Sequence, residues 1–369
     1  MGIRTVLMTT AAVATCLACR APEPADPFIA IFAARTTSVS QFLDRLAQLE
    51  DTRIGRRARE LRAALPKCRA VGAWVPEPDA AALLAGLRCI GEDSRLVAFD
   101  RLRGNRDFAL DWQLDNGESV RVRVDFDRSE DADVELLLPR GTAHGAGTLL
   151  VPGPDSPGPA QLTGTDALVH VRLRPRDGID LTALVAGDPR AQQLFRLKSR
   201  FLASTIFDGT WEAAIYLPTP GEAAPPLALA LGFRSRTAAI AAMEELIETL
   251  RSTWPVARTE FSANGAPGTC LPNLRIMPDL APCYVATDRA LVIGWNGASV
   301  ERALAGGAPG LKPVGGLLVE LARLAEADSN LTGMPVTGAQ MPWTRLHAVG
   351  REEKDGVRVR VHLEARRGT

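Results

Sequence analysis

Four cysteines stand well inside the chain: Cys68, Cys89, Cys270 and Cys283. A thiolate is a nucleophile or a metal ligand, and a thiol pair is half-way to a disulfide. No two of these four are spaced as C-x-x-C, and their number is even, which favours disulfides over metal ligation in an exported chain. The four histidines, His144, His170, His347 and His362, have no histidine, cysteine or carboxylate at metal-ligand spacing. Two of them sit in alternating strand patterns, and a structural or surface role is the expectation for all four. The sequence holds no G-x-S-x-G elbow, no H-E-x-x-H pair and no phosphate loop. Gly306-Gly-Ala-Pro-Gly310 lacks the Lys-Ser/Thr that a phosphate loop needs, so it reads as a linker.

The acidic run from Asp125 to Glu135 places oxygen donors at alternate positions, as a calcium loop does. Its sixth position is Glu130 where that loop needs Gly, and its twelfth is Leu136 where it needs Glu. A solvated turn after a strand is the expectation. Residues 190–204 carry Arg190, Arg196, Lys198 and Arg200 beside Leu194, Phe195, Leu197, Phe201 and Leu202. Such a basic amphipathic helix suits an anionic lipid surface. The expectation is a helix docked on a sheet with its long cations snorkelling to water. No catalytic residue, metal ligand or cofactor site is assigned.

The elements that place these residues begin with a leader. Arg4 precedes a short apolar stretch from Val6 to Leu17, which ends in Cys16-Leu17-Ala18-Cys19. Its layout is that of a secretory signal peptide, and roughly a dozen apolar residues fall short of the ~20 that span a bilayer. A small residue directly before a cysteine resembles the bacterial lipobox, with Cys16 standing where that motif usually has Leu. The resemblance implies lipidation at Cys19, which becomes the first residue of the mature chain. Arg20 follows it where lipoproteins kept in the inner membrane often carry Asp, and that rule points to the outer membrane. In such a compartment the remaining four cysteines form disulfides. Three pairings are open, and spacing favours Cys68–Cys89 and Cys270–Cys283.

Hydrophobic residues make up 46% of the chain, so a core can form. The 43 basic and 43 acidic residues cancel, which argues against a nucleic-acid partner and its clustered basic excess. Lysines are few (Lys67, Lys198, Lys312, Lys354) beside many arginines, an expected mark of GC-rich coding.

Two stretches repeat a pattern. The segments starting at Pro27 and at Pro226 each open with an apolar strand, pass an Arg/Thr/Ser turn and continue as a helix. Pro66-Lys-Cys68 and Pro282-Cys283 each lead to a strand ending in Trp, at Trp74 and Trp295. Helices over 79–87 and 299–304 follow, then strands over 96–99 and 317–319. Asp115-Asn116-Gly117 and Lys354-Asp355-Gly356 are hairpin turns, each preceding Val-Arg-Val-Arg-Val at 120–124 and 357–361. Alternation should bury the valines and leave the arginines in water. Trp112 and Trp343 lie upstream of the two turns. A further hairpin joins 211–217 to 227–231, and 167–173 is a strand. An internal duplication relating 27–127 to 226–364 is the expectation.

The expected organisation is a signal peptide over 1–18, a tether over 19–27, an N-terminal unit over 28–151, a Pro/Gly linker over 152–165 and a C-terminal unit over 166–369. The expected class is α+β, with antiparallel sheets and helices on one face, as two related units. Over 167–306, the block from Trp211-Glu-Ala-Ala-Ile-Tyr-Leu-Pro to Ala290-Leu-Val-Ile-Gly-Trp-Asn-Gly resembles a family of uncharacterised exported bacterial proteins. That resemblance implies an exported α+β domain and supplies no catalytic residues. The functional expectation is a lipid-anchored protein of the bacterial cell envelope with a binding or structural role and no catalysis. Its partners would be the membrane, through the anchor, and an envelope protein. The alternatives are a periplasmic carrier of an apolar ligand and a hydrolase with a site assembled from scattered residues.

Overall fold

Apolar residues recur at every second position through much of the chain, and those stretches form antiparallel strands. The computed structural model describes residues 30–48, 53–75, 86–113, 118–126, 131–139, 162, 165–173, 206–222, 224–251, 255–273, 281–305, 316–333, 343–354 and 356–366. The leader with Cys19, His144, most of the 152–165 linker, residues 79–85 of the expected 79–87 helix, the 190–204 helix, Gly306–Gly310 and the Asp115–Gly117 turn lie outside them.

The chain divides into two compact units, Met1–Gly147 with Pro335–Thr369, and Thr148–Met334. The first contains β1 (Ala30–Arg35), α1 (Thr36–Ala47), α2 (Arg53–Ala64), β2 (Ala70–Val75), β3 (Arg88–Cys89), α3 (Ser94–Arg103), β4 (Phe108–Gln113), β5 (Ser119–Phe126) and β6 (Ala132–Pro139). The second contains β7 (Ala167–Leu173), β8 (Phe207–Tyr216), β9 (Leu227–Phe233), α4 (Arg236–Arg251), β10 (Thr259–Ala263), β11 (Ala266–Cys270), β12 (Cys283–Ala286), β13 (Ala290–Gly294), α5 (Gly297–Leu304), β14 (Gly316–Val319) and α6 (Leu324–Thr332). The chain then returns to the first unit as β15 (Trp343–Glu353) and β16 (Gly356–Ala365). Strand order is β15-β16-β6-β5-β4-β1-β2-β3 in the first unit and β10-β11-β12-β13-β9-β8-β7-β14 in the second.

The expected C-terminal unit of 166–369 is therefore not one body. Its last hairpin belongs with the N-terminal residues because β16 pairs along its length with β6, from Gly356↔Pro139 to Leu363↔Ala132. The two Val-Arg-Val-Arg-Val strands, β5 and β16, flank β6 on either side. A Cβ at Gly356 would sit 1.9 Å from the Leu138 carbonyl oxygen, so only glycine lets the strand start so close to β6. Val357 and Val359 are buried, while Arg121 and Arg360 are exposed, as alternation requires. Arg123 and Arg358 depart from that expectation. They are half-buried in ion pairs, Arg123 with Asp111 at 2.6 Å and Arg358 with Glu135 at 2.9 Å and Glu353 at 2.7 Å.

Antiparallel sheets with helices are what the structure contains, but the helices do not keep to one face. In the second unit Ala228, Ala230 and Val292 pack with Val300 and Ala303 of α5. Their neighbours Leu231, Phe233 and Leu291 pack with Ala239, Met243, Ile247 and Leu250 of α4. Both faces of β9 (LALALGF) and β13 (ALVIG) are apolar, so both need cover. In the first unit α3 sets Leu96 and Phe99 against Ala33 and Ala109, while Phe42 of α1 reaches Phe126 on the opposite face, 6.1 Å between ring centroids.

Residues 96–99, expected as a strand, lie inside α3. Leu96, Phe99 and Arg103 recur at helical spacing on its buried side, and Asp93 caps it by accepting from Arg95 N and Leu96 N. Asp93 also accepts from Trp74 Nε1 at 3.0 Å and pairs with Arg88 at 2.7 Å. The Trp74 hydrogen bond, with the two capping amides and Arg88, holds its carboxyl below the usual aspartate value against a smaller cost of desolvation. The stabilisation is thus complete above the ordinary aspartate value of about 3.9 and is lost as pH falls through the lower folded value. Asp93→Asn should lower the melting temperature near neutral pH and flatten its decline between about pH 5 and about pH 2. Parallel acid-side curves for the two proteins would contradict this.

Candidate functional site

The strongest concentration of chemistry in the described residues is a buried charged group on β7 and β8. In β7, Ala-Leu-Val-His-Val-Arg-Leu turns His170 and Arg172 to one face; in β8, Glu212, Ala214 and Tyr216 share that face. Register places Arg172 opposite Glu212 and His170 opposite Ala214, with Ala230 of β9 on the other side of Glu212. These small neighbours leave room for the charged side chains. His170, Arg172 and Glu212 are 0%, 3% and 1% exposed. His170 Nε2 lies 2.7 Å from Glu212 Oε1, which also accepts from Leu162 N at 3.0 Å, and Arg172 Nε stands 3.9 Å from Glu212 Oε2. Against a carboxylate oxygen that only accepts, Nε2–H donates.

Tyr216 is buried beside this group. Its phenol is pushed well above its ordinary value, first by burial and then by the Glu212 carboxylate, with Arg302 opposing. An imidazole oriented by a carboxylate is the supporting half of a general base. Every member of this group is sealed from solvent. His170 Nδ1 is buried and without a hydrogen-bond partner among the described residues. What the arrangement does is neutralise charge inside an alanine- and valine-rich interior, at a cost tolerated only because the groups are paired. Sequence reasoning placed His170 as structural but did not join it to Glu212. The available signal was a pair of polar residues, at i and i+2, in an otherwise apolar strand.

Cys68 is joined to Cys89 and Cys270 to Cys283, with Cα separations of 5.9 Å and 3.9 Å. Cys89 sits opposite Val71 at the β2–β3 pairing, and Cys270 directly opposite Cys283 across β11 and β12. Each bridge closes a local loop, as spacing favoured.

The described parts of the acidic run, apart from Asp131 just before β6, lie in strands. Asp125 of β5 pairs with Arg106, Asp133 of β6 with His362 at 2.8 Å, and Glu135 with Arg358 at 2.9 Å. No group of three or more His, Cys, Asp or Glu among the described residues is placed to hold a metal ion. At the edge of the second unit, Tyr284 Oη donates to Glu244 Oε1 at 2.7 Å and Arg258 joins Glu244 to Glu248, which is 2.8 Å away. Among the described residues no helix is long and apolar enough to cross a membrane. In comparisons with known proteins, no family model, curated protein or solved structure matches the chain, so the resemblance over 167–306 rests on its quoted residues alone.

Proposed function

We propose that the chain is an exported bacterial protein, held to a membrane by lipid on Cys19, with a binding or structural role in the cell envelope and no catalysis. The observation that carries this reading is the pairing of all four cysteines beyond the leader. Such bridges persist in oxidising compartments, where an apolar leader would deliver the chain. The His170–Glu212 pair, sealed from solvent, supports the non-catalytic half of the proposal. Residues 20–27, if extended, reach at most about 28 Å, so the body would sit close to the bilayer. Arg20 favours the outer membrane, facing the periplasm.

A carrier of an apolar ligand is the second reading. It is favoured by the half-buried Val120, Val122, Val124, Val134, Leu136 and Val361, which share one face of β5, β6 and β16. A duplication is also proposed, limited to a strand–helix–strand core. In support, β1 is followed by α1 and paired antiparallel with β2, as β9 is followed by α4 and paired antiparallel with β13. The Trp112 and Trp343 hairpins do not extend that match, since β4–β5 adjoins β1 whereas β15–β16 lies outside the unit that holds β9.

The anchor is tested by Cys19→Ser. The variant should leave the membrane fraction or accumulate unprocessed, while the wild-type chain stays with the membrane through a high-salt wash. A variant that fractionates and matures like the wild type would refute lipidation at this residue.

A further inference from the structure

One cross-strand row of the first unit has no part in the reading above. His347 of β15 stands directly opposite His362 of β16, and His362 directly opposite Asp133 of β6. Residues so opposed point to the same face, with Cβ atoms about 4.5–5.5 Å apart. His362 Nδ1 lies 2.8 Å from Asp133 Oδ1, and the two side chains are 48% and 70% exposed. A carboxylate at Nδ1 fixes the proton there and leaves the Nε2 lone pair outward, which is how carboxylates orient metal-binding histidines. His347 Nε2 is shielded and has no hydrogen-bond partner among the described residues.

We propose that His347 and His362 form a binding site for a borderline divalent cation of the zinc and copper class, each giving one imidazole nitrogen, with Asp133 as the positioning residue. Nitrogen–metal distances of about 2.0–2.1 Å are compatible with rings rooted one strand apart. No third protein ligand joins them among the described residues, so water completes the coordination. Imidazole pairs suit zinc and copper and discriminate against calcium and magnesium, which take oxygen. Neighbouring charge does not oppose a cation. Arg345 is paired with Glu364 at 3.5 Å, and Arg360 approaches Glu135 at 3.9 Å. Asp125 extends the row beyond Asp133 and is paired with Arg106.

The test is calorimetric titration of the full chain with Zn2+, alongside Cu2+ electron paramagnetic resonance. One ion should bind per chain, with nitrogen coordination visible in the copper spectrum. His347→Ala and His362→Ala should each weaken binding at least about tenfold, and Asp133→Asn by about tenfold with stoichiometry kept. These positions lie on strands, so thermal melts should confirm that each variant folds. For any that does not, protection of His347 and His362 from diethyl pyrocarbonate by Zn2+ in the wild-type chain replaces it. Absence of Zn2+ binding, or binding unchanged in the double variant and without protection of these rings, overturns the site. Unchanged affinity in Asp133→Asn overturns the positioning role. None of these outcomes bears on the lipid anchor.

Discussion

Glu212→Ala should destabilise the second unit by about 3–5 kcal/mol, because it leaves the buried Arg172 guanidinium and the His170 ring without their carboxylate. The loss has three parts in one place. His170 Nε2 loses the acceptor 2.7 Å away, Leu162 N loses its partner at 3.0 Å, and the Arg172 guanidinium loses the opposing charge across the β7–β8 ladder. Glu212→Gln keeps the shape and an acceptor but not the charge, and should fall between the two. Replacing His170, Arg172 and Glu212 together by leucine-sized apolar residues should be nearly neutral, since the whole cost of burying charge disappears with it. Urea denaturation of the four proteins makes the comparison. A Glu212→Ala midpoint equal to that of the wild type would show that the cluster carries no stability, and the sealed pair would need another explanation.

Removing either disulfide should cost about 3 kcal/mol, through the freedom returned to the unfolded chain. The bridges close loops with sequence separations of 21 and 13 residues, so the two costs should be similar, with Cys68–Cys89 slightly the larger. Their local effects should differ. Cys68Ala/Cys89Ala frees the short β3 strand from β2, next to the Asp93 cap, whereas Cys270Ala/Cys283Ala loosens the β10–β11 hairpin from β12. Limited proteolysis should cut each variant near its own lost bridge. Reduction of the wild-type chain with no change in urea midpoint would contradict the bridging assignment.

Much of this architecture is legible in residue order. The β7 strand, the β8–β9 hairpin, and the strand–helix openings at β1–α1 and β9–α4 follow from alternation giving way to helical spacing. The Lys354–Gly356 turn and the cysteine pairing are legible for equally local reasons. What was hidden is non-local. Leu96–Phe99 is short and apolar enough to suit a strand, and only Asp93 as a cap, with Arg103 returning to the buried side, makes it a helix. The covering of both faces of β9 and β13 depends on which elements find them, which local pattern does not encode. Nothing near residue 343 announces that β16 pairs with a strand more than two hundred positions earlier. Likewise His170 and Glu212 are separated by 42 residues and meet only because β7 and β8 pair in one register.

The central claim is that the mature chain begins at a lipidated Cys19 in an oxidising compartment. Intact mass and peptide mapping of the protein, isolated from its own membrane fraction without reduction, test it in one measurement. The expected result is an amino-terminal peptide starting at Cys19 with attached acyl mass, and cross-linked peptides joining Cys68 to Cys89 and Cys270 to Cys283. An unmodified chain beginning at another residue, with free thiols at those four positions, would contradict it.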